Sequence, residues 1–190
     1  MSIRKIFKMP KPVGITGRTS TITNSFVNGI ITVIEPTDNE LEESLKILEL
    51  RKEDLRCAYC GDNATEWDHL RPIVAKKRPT GYISEIRNLV PACGKCNQSK
   101  GGKYWKDWIK SGAKLSPQKR GIAGLDEKIR RLEAYEKWGN VKPLDLERLA
   151  GANLWERHWR NCQDLHAQMK EAQKLAEQTR DTIRDNIKKK

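Results

Sequence analysis

The chain is short of apolar material and has no long run of it. Hydrophobic residues make up 37% of its 190 residues and aromatic residues 6%, with two phenylalanines, and the mean hydropathy is -0.76. A core is possible, but a smaller one than a typical globular chain of this length buries, so something besides apolar area is expected to hold part of the fold. No apolar run exceeds a few residues, whereas about 18 are needed to cross a bilayer, which excludes a membrane-spanning helix. The basic start from Met1 to Lys8 has no apolar stretch of the kind a secretory signal carries, and the chain is expected to stay in the cell. In a reducing compartment its five cysteines read as ligands sooner than as disulfides. The length itself favours one compact unit with appendages over two full domains.

Acids are also in the minority. Asp and Glu number 25 against 37 Lys and Arg, a net charge of +12, which points to a polyanionic partner, either nucleic acid or an anionic membrane surface. The excess is uneven. Residues 57–115 hold eleven basic against five acidic side chains, while residues 36–56 hold four against seven. Composition therefore divides the chain into an N-terminal arm and capping helix (1–56), a basic central segment (57–115) and a helical C-terminal extension (116–190).

Local patterns fill in these parts. The Thr-, Gly- and Pro-rich arm reads as extended or loop-like up to a short apolar element near Phe26–Ile34. Thr37-Asp38-Asn39-Glu40 is a capping-box pattern ahead of Leu41, Leu45 and Leu48, which predicts a helix over roughly 38–54. Ser116-Pro117 reads as a helix start, Leu125, Ile129, Leu132 and Tyr135 keep helical spacing, and Gly139-Asn140 ends the run. Asn153 reads as the cap of a long helix whose apolar positions run from Trp155 through Met169 to Ile187. It either packs on its own domain or supplies the seam of a coiled-coil homodimer. Trp105 and Trp108 are expected to pack inward, and His158, Cys162 and His166, which share a helix face, read as packing residues because no fourth metal ligand is evident.

The chemistry is concentrated in the basic segment. Cys57-Ala58-Tyr59-Cys60 and Cys93-Gly94-Lys95-Cys96 are two CxxC knuckles, and four thiolates so arranged complete a closed tetrahedral zinc site. Zinc held in this way contributes folding free energy directly, which answers the shortage of apolar core. The knuckles are farther apart than in a simple zinc ribbon, and between them lie Asp68-His69 and Asn88-Leu89, with Asn97 directly after the last cysteine.

This combination, over about 57–102, resembles the HNH (His-Asn-His, ββα-metal) endonucleases. The resemblance implies a mostly helical α+β protein built on a zinc-stapled ββα-metal finger with helical N- and C-terminal extensions. It implies His69 as the general base, Asp68 and Asn97 as ligands of a catalytic Mg²⁺ or Mn²⁺, and Asn88 as the residue holding the loop that carries the histidine. Lys100, Lys103, Lys76, Lys77 and Arg78 flank the proposed site and are expected to meet the phosphates of double-stranded DNA. The activity implied is phosphodiester hydrolysis leaving a 5′-phosphate and a 3′-hydroxyl, in a restriction or defence setting or, alternatively, in a homing or mobile-element nuclease. The reading from another class is a non-catalytic zinc module that binds nucleic acid. Lys76-Lys77-Arg78 stand where many relatives carry a Gly-Gly pair, which leaves the shape of that loop open.

Overall fold

A computed structural model describes residues 9–189. Its elements in chain order are α1 (Thr19–Asn28), α2 (Asp38–Leu48), β1 (Glu66–His69), β2 (Val74–Ala75), β3 (Arg78–Pro79), β4 (Leu89–Ala92), α3 (Gly94–Lys100), α4 (Trp105–Ile109), α5 (Leu125–Gly139), α6 (Leu146–Ala150) and α7 (Ala152–Lys188). The architecture is mixed α+β and mostly helical, with two small two-stranded sheets. Among the described residues no helix is long and apolar enough to cross a membrane.

Two compact units divide the chain. One runs from Val27 to Leu149, and the other joins the segment up to Phe26 to the segment from Ala150 onward. The three segments suggested by composition are therefore regrouped. α2 and α5 pack on each other within the first unit, α5 also packs on the Ile86–Asn88 turn, and burial of their apolar faces ties them to the central segment whatever their charge.

In the first unit, β1 pairs antiparallel with β4, with Asp68 opposite Val90 and His69 opposite Leu89, and α3 follows at once from β4. The core gathers Leu48, Tyr59, Leu70, Val90, Trp105, Trp108, Ile109, Leu132 and Tyr135 with the four knuckle cysteines. Trp105 and Trp108 are fully buried, and the Trp108 indole N–H donates to Ser99 Oγ at 2.9 Å. β2 and β3 form a hairpin whose two-residue turn is Lys76-Lys77, both left-handed at φ 49° and 63°.

Several local expectations are corrected. The capping box forms, with the Thr37 hydroxyl accepting from the Glu40 N–H and the Glu40 carboxylate accepting from the Thr37 N–H, but the helix ends at Leu48 because Glu49 turns left-handed (φ 52°) and Arg51 bridges to Asp54. Ser116 caps only a turn, accepting from the Lys119 N–H at 3.2 Å. Gly121 and Gly124, both left-handed, delay the helix to Leu125, and Asn140 ends it in the left-handed region. The Thr-rich arm is not extended throughout: α1 forms at Thr19, and Thr19, Thr23 and Ser25 turn their hydroxyls onto backbone carbonyls three or four residues earlier.

In the second unit, α7 begins behind Gly151 rather than Asn153 and runs unbroken for 37 residues, about 55 Å. Trp159, Cys162 and Met169 are buried along it. His158 bonds the Phe26 carbonyl at 2.9 Å and His166 meets the Thr23 hydroxyl at 3.4 Å, so both histidines serve packing. Beyond Met169 the large side chains Leu175, Ile183 and Ile187 are exposed.

Candidate active site

The two knuckles meet. The Cys57–Cys60 turn closes through the Gly61 N–H onto the Cys57 carbonyl at 2.8 Å, with Gly61 left-handed at φ 84°, and it is tied to β4 by the Ala58 N–H on the Pro91 carbonyl at 2.8 Å. Cys93 is the N-cap of α3 and Cys96 lies in its first turn. The four Sγ atoms all lie within 4.8 Å of one another and are buried, with Cys60 and Cys93 at 3.6 Å. A tetrahedral zinc with Zn–S near 2.3 Å needs sulfurs about 3.8 Å apart, so the cluster fits such an ion. Without a cation the thiols conflict: hydrogen bonding to Cys60 and burial push Cys57 up to about 12, while the bonds its neighbours give it pull Cys60 down. Arg120 donates to Cys96 Sγ at 3.4 Å and pairs with Asp62 at 2.9 Å, placing a positive charge beside the sulfurs.

Strand alternation sorts the residues next to this cluster. Glu66 and Asp68 face α3, where the Asn97 amide Nδ2 donates to Glu66 Oε2 and Lys100 Nζ meets Asp68 Oδ1 at 3.1 Å. Asp68 Oδ2 accepts from the Tyr59 hydroxyl at 2.7 Å. Tyr59 is a knuckle residue, fully buried and edge-on to Trp108, so the cysteine turn also sets the carboxylate. Burial raises the Asp68 pKa and lowers that of Lys100, and pairing between them opposes both shifts. Asp68 and Asn97 thus lie on the same side of β1. The Asn97 Nδ2 is turned to Glu66, while both Asp68 carboxylate oxygens already accept hydrogen bonds, from Lys100 and from Tyr59; carboxylate and amide oxygens are the donor types a hard divalent ion takes.

Lys100 is a correction. Expected against phosphate, it is instead fully buried, with its ammonium on Asp68 Oδ1, the His69 carbonyl at 2.7 Å and the Gly101 carbonyl at 3.4 Å. An ammonium with three internal acceptors is part of the scaffold.

His69 lies on the opposite face of β1. Its Nε2 is 2.9 Å from Ser84 Oγ, and burial, with the nearby Lys100 charge, lowers its pKa to about 4, so the ring is neutral near pH 7. Trp67 is half-exposed two residues earlier. Asn88 is fully buried: its Oδ1 accepts from the Arg71 N–H at 2.9 Å, and its Nδ2 donates to the carbonyls of Arg71 at 3.1 Å and Ile83 at 3.3 Å. These bonds fix the chain immediately after His69. Lys76, Lys77 and Arg78 are exposed on the hairpin, and Lys103 bonds the Ser99 carbonyl at 3.1 Å from an exposed position. Lys106 and Lys110 are ion-paired with Glu133, Glu136 and Asp126.

Residues 57–103 match the family model of the HNH endonucleases. Over 66 residues, one third of the chain, the sequence is 35% identical to a CRISPR-associated endonuclease Cas9 of Corynebacterium diphtheriae (strain ATCC 700971 / NCTC 13129 / Biotype gravis). The chain spans about 6% of the length of that curated relative. No solved structure matches. Within the HNH segment, Tyr59, Glu66 and Ser84 escape a motif-based reading, and beyond it so does Arg120. Of these Glu66 alone had a signal, since its spacing of two from Asp68 puts both carboxylates on one strand face.

Proposed function

We propose that residues 57–103 form the catalytic part of a metal-dependent endonuclease that hydrolyses phosphodiester bonds in double-stranded DNA. The observation that carries this is the placement of Asp68 and His69 on opposite faces of β1, with α3 bringing Asn97 to the Asp68 face, inside a segment matching the HNH endonucleases. Asp68 and Asn97 would hold a Mg²⁺ or Mn²⁺ ion, and such an ion would supply positive charge to offset the charge developing on the phosphate. The neutral His69 ring takes a proton from water as the water oxygen bonds to phosphorus. The bond from phosphorus to the 3′ oxygen breaks, and that oxygen takes a proton from solvent, leaving a 5′-phosphate and a 3′-hydroxyl. Asn88 holds the histidine-bearing chain through both backbone groups of Arg71.

The cysteine cluster would hold zinc as a structural ion. Of the five cations expected at DNA, Lys76, Lys77, Arg78 and Lys103 are exposed, and with Lys100 inside, these four would carry the phosphate contact. A restriction or defence role is the setting we favour, supported by the relative named as CRISPR-associated and by the segments on both sides of the finger that are available to read a site. Four knuckle cysteines serving as zinc ligands would fit a reducing cell interior.

Plasmid DNA incubated with the protein and Mg²⁺ or Mn²⁺ should be cut, and His69→Ala should abolish cutting while zinc content and DNA binding persist. A mutant that still cuts removes His69 as the base, and a wild-type protein that binds DNA without cutting it identifies a non-catalytic zinc module.

A further inference from the structure

An imidazole accepts a proton from water at one nitrogen only while the other carries the hydrogen, so whatever bonds the second nitrogen decides whether the ring is a base at all. For His69 that partner is Ser84, whose Oγ lies 2.9 Å from Nε2. If the serine hydroxyl donated to Nε2, the hydrogen would sit on Nδ1 and the ring could accept nothing there. If Nε2–H donates to Ser84 Oγ, Nδ1 is left free. Among the described residues Nδ1 has no hydrogen-bond partner.

Ser84 is itself held from outside the HNH segment. Its N–H donates to the Thr32 carbonyl at 3.1 Å and its carbonyl accepts from the Ile34 N–H at 2.9 Å, a parallel bridge centred on Val33. Next to it, the Ile83 carbonyl takes a bond from Asn88. The loop carrying Ser84 is thus pinned on one side by the residue that clamps the chain after His69 and on the other by residues 32–34. That arm segment buries little of its own: Val33 and Ile34 are 63% and 50% exposed. Apolar burial therefore does not explain its place, whereas the two backbone bonds to Ser84 do.

We propose that Ser84 is the positioning residue of His69, accepting the Nε2 hydrogen so that Nδ1 faces water as the base, and that the arm segment Thr32–Ile34 holds Ser84 in place. This rests on the reading of His69 as general base. It makes a segment that precedes the family match part of the working site.

The chain has three histidines, so ¹⁵N-histidine labelling, with His69→Ala to assign the signal, reports the tautomer directly and needs no activity. The wild-type ring should be protonated at Nε2. Ser84→Ala should lose this fixed tautomer and lower kcat about 10- to 100-fold, the range known for partners that orient metal-bound histidines, with KM unchanged. Ser84→Thr, which keeps the hydroxyl, should restore both. A wild-type ring protonated at Nδ1, or a Ser84→Ala protein with wild-type tautomer and kcat, overturns the proposal. Should His69→Ala still cut DNA, the base assignment fails instead, and the tautomer result stands apart from it. For the arm, Ile34→Pro deletes the N–H that bonds Ser84, while Val33→Pro, at a position whose N–H makes no such bond, is the matched control. Loss of kcat and of the tautomer in Ile34→Pro alone is expected, and equal behaviour of the two variants removes the arm from the site.

Discussion

The finger contains two centres built in opposite ways. The cysteine cluster takes all four donors from two short turns and is buried throughout, and a tetrahedral zinc held by it would have no position left open. The centre around Asp68 and His69 draws on β1, α3, the loop of Ser84 and the turn of Asn88, and its hydrogen bonds come from residues distant in sequence. The first is a staple whose geometry is written in local spacing; the second is a site whose geometry is the outcome of folding. Tyr59 joins them, since it sits inside one knuckle and bonds the Asp68 carboxylate. If the comparison is right, breaking the staple destroys both centres, whereas changes at the second leave the staple intact.

The largest effect should come from the staple. Cys60→Ser, or a strong zinc chelator on the wild type, should remove the ion and with it the cooperative unfolding of the Val27–Leu149 unit. Structural zinc is worth about 10–16 kcal/mol in small domains, as much as or more than a domain's usual net stability of about 5–15 kcal/mol. Circular dichroism melts with metal analysis check this, and a chelated protein that still melts cooperatively shows the apolar core to be sufficient alone.

Next is the buried pair. Lys100→Met leaves Asp68 buried without its cation, and breaking such a pair costs about 3–5 kcal/mol. Lys100→Met with Asp68→Asn, which removes the charge as well, should recover part of that stability and none of the cutting. Equal stability of the single and double variants would show that the pair is not the source of the loss. Tyr59→Phe is milder. It deletes one hydrogen bond to a carboxylate, about 1.5–3 kcal/mol, and should keep zinc while reducing cleavage. If cleavage is untouched, the knuckle does not set Asp68 and the two centres are independent.

The same contrast explains what could be read in the sequence. The four cysteines, the Thr37 capping box, the Asn140 helix end and the inward packing of Trp105 and Trp108 depend on residues close together or on strong apolar character, and they were legible. Lys100 was misread because a lysine signals exposure until a carboxylate and two carbonyls are seen around it. Ser84 gave no signal, because its partners are His69 and the backbone of residues 32–34. α1 was missed because threonines favour extended chain on propensity, while here Thr19, Thr23 and Ser25 satisfy their hydroxyls on the preceding helical turn.

The smallest effect separates folding from DNA contact at the hairpin. Lys76 and Lys77 both occupy left-handed backbone, at φ 49° and 63°, in a two-residue turn that favours Asn-Gly. A side chain larger than glycine at such positions is mildly strained, and folding alone gives no reason to keep lysine there. Replacing the pair by Lys76→Asn with Lys77→Gly should therefore raise the unfolding midpoint slightly, since both side chains are exposed and no packing is lost. It should also weaken binding to plasmid DNA, and if both lysines neutralise phosphates, the slope of log affinity against log salt should fall by about 1.8. Cleavage at saturating DNA should be unchanged, because neither lysine touches His69 or Asp68. A variant that gains stability and binds DNA as the wild type does would show the hairpin to be a turn only, and would move the phosphate contact to Arg78 and Lys103.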